Sequence, residues 1–221
     1  MQLLWASDGN PASGSGAREY VLPTGLAQLV VRLSPEPIVI FEAGVARRLG
    51  HGVLGGARSS YYEKDVTIAS AAVGATLLPG AVSMLFGARA DELAERHTPL
   101  DELWGTEAGL LRERLAEQRS AVARIAEIEA CLARRLPFAR PLHSSVACSL
   151  AHLGHGERRV GELVRASGCS HRALIAAFRT AVGLPPKVFS DVLRFQRALR
   201  ALARGPGTSL AATALDAGYS D

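Results

Sequence analysis

The sequence predicts an α+β chain with a β-rich N-terminal domain, a helical connector and a small all-α C-terminal domain. Strand-like runs fill roughly the first ninety residues, helical periodicity takes over from Asp91, and basic side chains concentrate towards the C-terminus. We place the three parts at residues 1–97, 98–154 and 155–221. Because 48% of the residues are apolar, the chain can bury a core and is not a disordered tail.

Turn-forming residues divide the N-terminal part into six candidate strands: Glu19–Leu22, Leu26–Leu33, Ile38–Glu42, Gly52–Leu54, Ser59–Glu63 and Val66–Leu78. The last strand opens a run of 23 residues without charge, Val66 to Ala88, which is long enough to cross a bilayer. Pro79 and Gly80 interrupt this run, and small or hydroxylated residues make up much of it. A strand followed by a short helix opening at Pro79 is therefore the favoured interpretation.

Helical spacing of apolar residues marks the connector. We predict helices at Glu107–Arg119 and Ala121–Leu136, with Pro137 ending the second, and another helix from Pro141 to about Leu153. Residues 154–159 are the predicted junction. Four short helical stretches follow it, separated by turn-forming residues.

The net charge of +4 is unevenly distributed. Residues 1–140 carry 15 basic and 16 acidic side chains, whereas residues 141–221 carry 10 and 5. All ten of those cations lie between Arg158 and Arg204, where the only acidic residues are Glu162 and Asp191. This distribution is typical of a nucleic-acid-binding domain joined to a neutral domain.

The segment 160–183 has the pattern of a helix-turn-helix. Leu163, Val164 and Ala166 are the predicted inner face of the first helix, Gly168 the turn, and Ser170 the N-cap of the next helix. Within the predicted recognition helix, Ser170–Val182, one side is apolar: Leu174, Ala177, Phe178 and Ala181. The other side holds Arg172, Ile175, Ala176 and Arg179.

This division predicts which side chains contact DNA. Arg172 and Arg179 would contact bases or phosphates, with Ser170, His171 and Ile175 beside them. A second amphipathic helix is predicted at Pro185–Ala203, and its cations Lys187, Arg194 and Arg197 would position the protein on phosphates. The alternative is an ordinary helical hairpin with solvated arginines.

Other motifs are weaker. Residues 50–55 match G-x-G-x-x-G, but a strand-like rather than a helical segment follows, which favours a glycine-rich hairpin over a dinucleotide site. The histidines and cysteines of the C-terminal half fit no zinc spacing: His143, Cys148, His152, His155, Cys169 and His171. No hydrolase, zinc-protease or phosphate-loop motif occurs. We therefore expect no catalytic residue, metal ion or cofactor.

The C-terminal sequence resembles the AraC/XylS-type transcriptional regulators. The resemblance is carried by LVRASGCSHRALIAAFRTAVGLPPKVFSDVLRFQRAL and TSLAATALDAGYSD, and it implies two helix-turn-helix units joined by a long helix. The segments YVLPTGLAQLVVRL, LGHGVLGGARS and HTPLDELWG resemble the cupin-like sensory domain of one subgroup. The resemblance further implies a small-molecule effector and a homodimer.

The sequence departs from this family at several places. Val164 stands where alanine is usual, and Ala176 stands where many members carry a basic residue. The chain stops at Asp221, before a second recognition helix, so we expect a fragment or an incomplete reading frame.

The leading hypothesis is a cytoplasmic, sequence-specific DNA-binding transcriptional regulator that is not an enzyme. Three cysteines at spacings unlike a disulfide framework favour a reducing compartment, and no signal peptide or membrane partner is expected. One rival is a small-molecule-binding or interaction protein with a vestigial, truncated DNA-binding end. Another is a metal-dependent β-barrel enzyme that uses His51 or His97.

Overall fold

The computed structural model describes residues 3–9, 17–42, 44–136, 141–154, 160–203 and 209–219. Nine strands occur in these ranges: β1 Leu3–Ser7, β2 Arg18–Val21, β3 Ala27–Arg32, β4 Val39–Glu42, β5 Val45–Arg48, β6 Gly52–Gly55, β7 Tyr62–Asp65, β8 Ala72–Leu77 and β9 His97–Pro99. They form two antiparallel sheets, ordered β1-β8-β3-β6-β9 and β2-β7-β4-β5. The predicted β-rich start is confirmed.

The helices within these ranges follow the strands. They are α1 Ala81–Phe86, α2 Ala90–Leu93, α3 Leu100–Trp104, α4 Thr106–Glu117, α5 Ala121–Arg135, α6 Ser144–Gly154, α7 Val160–Ser167, α8 His171–Val182, α9 Pro186–Leu202 and α10 Leu210–Ala217. In the described ranges, no helix is both long and apolar enough to cross a membrane. The uncharged run contains β8 and α1 instead, as predicted.

The five-stranded sheet uses its two faces differently, because successive side chains of a strand point in opposite directions. In β3, Leu29 and Val31 are fully buried in the main core with Leu111, Ile128 and other residues of the helices. The opposite face turns Val30 towards the four-stranded sheet. The main core therefore lies between sheet and helices, and the space between the two sheets is only partly filled.

Several strand predictions need correction. The run predicted at Ser59–Glu63 begins only at Tyr62, since Ser59 is bound to Glu95 through both its backbone and its hydroxyl. The strand predicted at Val66–Leu78 begins at Ala72, because the chain turns at Thr67, whose N–H donates to Asp65.

Three strands were missed, namely β1, β5 and β9. All four residues of β5 are exposed, so it carries no alternating apolar signal. Strand β9 interrupts the region predicted to be helical from Asp91 onward. Its residues pair with β6, and this long-range contact has no local sequence signal.

The C-terminal helices pack directly on the N-terminal part. The main chain around Gly183 lies close to Ala57, Ala90 and Ala94. Ala57 is buried within the same apolar cluster as Phe178 and Phe189. The helix-turn-helix is consequently in contact with α2 and with the loop after β6 through buried apolar surface.

Candidate nucleic-acid interface

Helices α7 and α8 form a helix-turn-helix with the predicted turn. Gly168 adopts a left-handed φ of 66°, which glycine accommodates without strain. The Ser170 hydroxyl accepts a hydrogen bond from the Ala173 backbone N–H at 3.3 Å and so caps α8, as predicted. At the other end, Gly183 closes the helix with its N–H on the Arg179 carbonyl.

The packed face of this unit is close to the prediction. Leu163, Leu174 and Phe178 are fully buried, and Phe178 meets Phe189 of α9 edge to face, with 5.8 Å between ring centroids. Ala166, predicted on the inner face of α7, is exposed, because its position falls on the outer side of this short helix. Val182, which was not in the predicted inner set, is buried.

The opposite face of α8 carries the predicted DNA contacts. Ser170, His171, Arg172 and Arg179 are exposed, and Ile175 is half-buried beside them. Among the described residues, neither Arg172 nor Arg179 forms an ion pair within 4.0 Å. This leaves two guanidinium groups seven residues apart, and therefore on one side of the helix.

Helix α9 presents its cations less uniformly. Lys187 is exposed at the start of the helix, and Arg197 is half-buried. Arg194 lies 4.3 Å above the Tyr219 ring and 3.1 Å from the Asp191 carboxylate, so its guanidinium joins α9 to the segment after α10. The buried face of α9 includes Phe189, which packs against Phe178.

Comparison with known families identifies the unit that these helices build. Residues 163–221 match the family described as "Helix-turn-helix domain". They form a helix-turn-helix domain of the AraC type. This domain is the DNA-binding part of transcription regulators, and the predicted resemblance is confirmed for this part of the chain.

Two solved structures of ToxT from Vibrio cholerae also align with the chain. The 1.65 Å structure is 8% identical, covers 99% of this chain and 88% of its own, and gives a TM-score of 0.46. The structure of ToxT bound to (E)-4-(8-methylnaphthalen-1-yl)but-3-enoic acid is 10% identical. This alignment covers 86% of this chain and 97% of the ToxT chain, with a TM-score of 0.25. Similarity this weak supports no conclusion about fold or ligand. No curated protein sequence matches the chain significantly.

The AraC-type domain meets the N-terminal part at the C-terminal half of α8. The Ser83 hydroxyl of α1 donates to the Thr180 carbonyl at 3.4 Å. Arg179 contributes, after Arg89, to lowering the pKa of Asp91 at the start of α2. The exposed face of α8 is thus flanked on one side by α1 and α2.

In the part of the chain that the structure describes, neither the glycine motif nor the histidine and cysteine side chains adopt the arrangement that a dinucleotide or a zinc ion requires. The last four residues of the motif are strand β6 and no helix follows directly, so the motif has no helix N-terminus to meet a pyrophosphate. Cys148 and His152 share a helix face, with 3.7 Å between Sγ and Nδ1, and His155 lies outside the described residues. No metal-binding group of three or more acidic, histidine or cysteine side chains occurs in the described part of the chain.

A cavity of about 350 Å³ lies between the two sheets, and sequence patterning did not reveal it. Apolar side chains such as Val30, Ile38 and Ile40 line it together with polar ones, including Gln28, Arg32, Tyr62, Lys64 and His97. The only sequence signal was the resemblance to a sensory domain, because a cavity between sheets depends on how far apart they pack.

A buried polar group borders this cavity. His97 is 3% exposed, and its Nδ1 lies 2.9 Å from Arg58 Nη1 and 3.2 Å from Glu42 Oε1. Burial, reinforced by the Arg58 charge, lowers the pKa of His97 to about 4. The neutral ring then accepts the Arg58 N–H at Nδ1, and this atom carries no proton to give to Glu42.

Glu42 is held ionised by its neighbours. Burial alone would raise its pKa, but hydrogen bonds from Arg47 at 2.7 Å and Arg58 at 3.0 Å, with His97 nearby, lower the pKa of Glu42 to about 2. The second metal-enzyme candidate, His51, bonds the Pro35 carbonyl at 2.7 Å and shares no hydrogen-bond partner with His97.

Proposed function

We propose that the protein is a sequence-specific DNA-binding transcriptional regulator whose recognition helix is α8. The observation that carries this proposal is the exposed face of α8 in an AraC-type domain, with Arg172 and Arg179 unpaired by any described carboxylate. An α-helix fits the major groove of B-DNA, and guanidinium groups there can bond guanine edges or phosphates. The protein would act in the cytoplasm, on double-stranded DNA, without catalytic residues.

Within this proposal the predicted contacts have different roles. The side of α8 that faces the major groove of the DNA would hold Arg172 and Arg179, with Ser170, His171 and Ile175 beside them. Lys187 is exposed at the start of α9 and would contact a phosphate. Arg194 would contribute chiefly by fixing the segment after α10 through Tyr219 and Asp191.

Duplex binding tests the recognition helix. A preferred duplex is first selected from a random-sequence pool with the wild-type protein, and its affinity is then measured for Arg172→Ala and Arg179→Ala. Loss of a base contact should weaken binding by about 1–3 kcal/mol, or roughly 5- to 160-fold. Arg48→Ala is the charge-matched control, because Arg48 is exposed on β5.

The control separates specific contacts from net charge. If both α8 variants bind like Arg48→Ala, α8 is not the recognition helix. If the wild-type protein selects no duplex at low salt, the DNA-binding function itself is wrong.

We further propose that the cavity between the sheets holds a small-molecule effector. Its volume and mixed lining suit a compact ligand with an apolar body and a few polar groups. Nile red, which fluoresces in apolar sites, is a suitable probe, and Val30→Phe should reduce its binding by filling the cavity. Unchanged fluorescence in this variant would place the dye elsewhere.

The same cavity supports the alternative of a small-molecule-binding or interaction protein without DNA function. Nile red binding combined with no selected duplex would favour that alternative. A homodimer also belongs to this proposal, and sedimentation equilibrium at several protein concentrations would detect it.

A further inference from the structure

We propose that the N-terminal part of the chain binds the phosphate backbone of the same duplex that α8 reads, through a groove beside α8. This inference rests on the proposed function. The groove has a volume of about 630 Å³ and lies between α1 and the end of α5, so we call it the α1–α5 groove. Residues 83–89 form most of its lining, with Arg135 on α5 and Thr180 on α8.

The position of Thr180 places the groove next to DNA bound by α8. At 100° per residue, Thr180 lies about 80° around the helix from Arg172, at the edge of the recognition face. The major groove is about 12 Å wide and a helix with its side chains is about 10–12 Å across, so the phosphate backbones run along the sides of an inserted helix. The α1–α5 groove flanks one of those sides.

The Arg135 guanidinium is held in an orientation that suits binding to a phosphate. The Phe86 and Trp104 rings stack 4.9 Å apart and within 10° of parallel, and the Arg135 guanidinium lies 4.0 Å from the centre of the Trp104 ring. This stacking fixes the plane of the guanidinium and leaves its N–H edge available for bidentate bonding. No described carboxylate pairs with Arg135 within 4.0 Å.

The second arginine of the groove is partly neutralised. Arg89 donates to both carboxylate oxygens of Asp91, at 3.1 and 2.8 Å, and lies 3.6 Å from Glu92. Its charge is therefore largely balanced within α2, and Arg135 is the group expected to contact the phosphate. Such a contact holds the duplex without reading its sequence.

The salt dependence of binding to the selected duplex tests this contact. Each neutralised phosphate contributes about 0.9 to the slope of log affinity against log salt, so Arg135→Gln should reduce the slope by about that amount. The ratio of wild-type to variant affinity should then shrink by roughly 3.5-fold between 50 and 200 mM salt. Arg134→Gln, which removes the preceding and more exposed charge, should retain the wild-type slope.

A second variant avoids the Trp104 stack, in case Arg135→Gln lowers the melting temperature. Met84 lines the groove, so Met84→Glu adds an anion there and should weaken duplex binding by about 3-fold or more at low salt. Val45→Glu adds the same charge at a position that is 65% exposed on β5 and should bind like wild type.

The possible outcomes distinguish failure of the phosphate contact in the α1–α5 groove from failure of the proposed DNA-binding function. If Arg172→Ala weakens binding while Arg135→Gln and Met84→Glu match their controls, the groove does not contact DNA and the regulator assignment stands. If Met84→Glu or Arg135→Gln strengthens binding, the groove obstructs DNA and the inference is wrong. If the wild-type protein binds no duplex, both proposals fail.

Discussion

Replacing His97 should remove a large part of the acid sensitivity of folding. His97 is buried and neutral in the folded protein, with a pKa of about 4 against 6.5 for the free side chain. Between these pH values the unfolded chain binds more protons than the folded one, so stability is lost as the pH falls from 6.5 to 4. At 1.36 kcal/mol per pKa unit, the lowered pKa corresponds to about 3 kcal/mol.

The assay is urea denaturation of wild type and His97→Gln at several pH values from 7 to 4. Glutamine cannot be protonated in this range, so the free energy of unfolding of His97→Gln should fall less than that of the wild type as the pH is lowered. His171→Gln removes an exposed imidazole and serves as the control. Parallel wild-type and His97→Gln curves between pH 6.5 and 4 would refute the assignment of a buried neutral histidine.

Four other changes have defined expectations. The lowered pKa of Glu42 stabilises the folded wild-type protein above about pH 4.5, and this contribution is lost as the pH falls to about 2. Glu42→Gln should therefore lose less stability than the wild type over that range, measured by the same urea denaturation. Ser170→Ala removes the cap of α8 and should cost about 1 kcal/mol in urea unfolding, whereas Ser170→Asp should retain it. Phe178→Ala empties a fully buried site and should cost about 3–5 kcal/mol. Gly74→Ala would place a Cβ 2.3 Å from the Trp5 ring and 2.7 Å from the Leu29 carbonyl oxygen, so it should lower the melting temperature; an unchanged value would contradict this close packing.

Local sequence signals were enough for the C-terminal helices. The helices predicted at Ser170–Val182 and Pro185–Ala203 begin and end within one residue of α8 and α9. Capping serines, left-handed glycines and helical periodicity act between neighbours a few residues apart, so they can be read directly from the sequence.

Strand predictions were less accurate because pairing involves distant residues. Strand β1 pairs with β8, about seventy residues away, and β9 completes the five-stranded sheet through β6. Neither contact has a local periodic signal, and the fully exposed β5 has none at all. The same reason explains why the cavity between the sheets was not predicted residue by residue.

The sequence by itself determined the α+β organisation, the helix-turn-helix and the basic face of α8, since these depend on composition, short-range periodicity and caps. Only the tertiary structure decided what lies beside that face. It brought Ser83 against Thr180 and stacked Arg135 on Trp104, and it buried His97 between Arg58 and Glu42. These groups are separated by tens of residues along the chain, and packing alone sets their distances and their charge states.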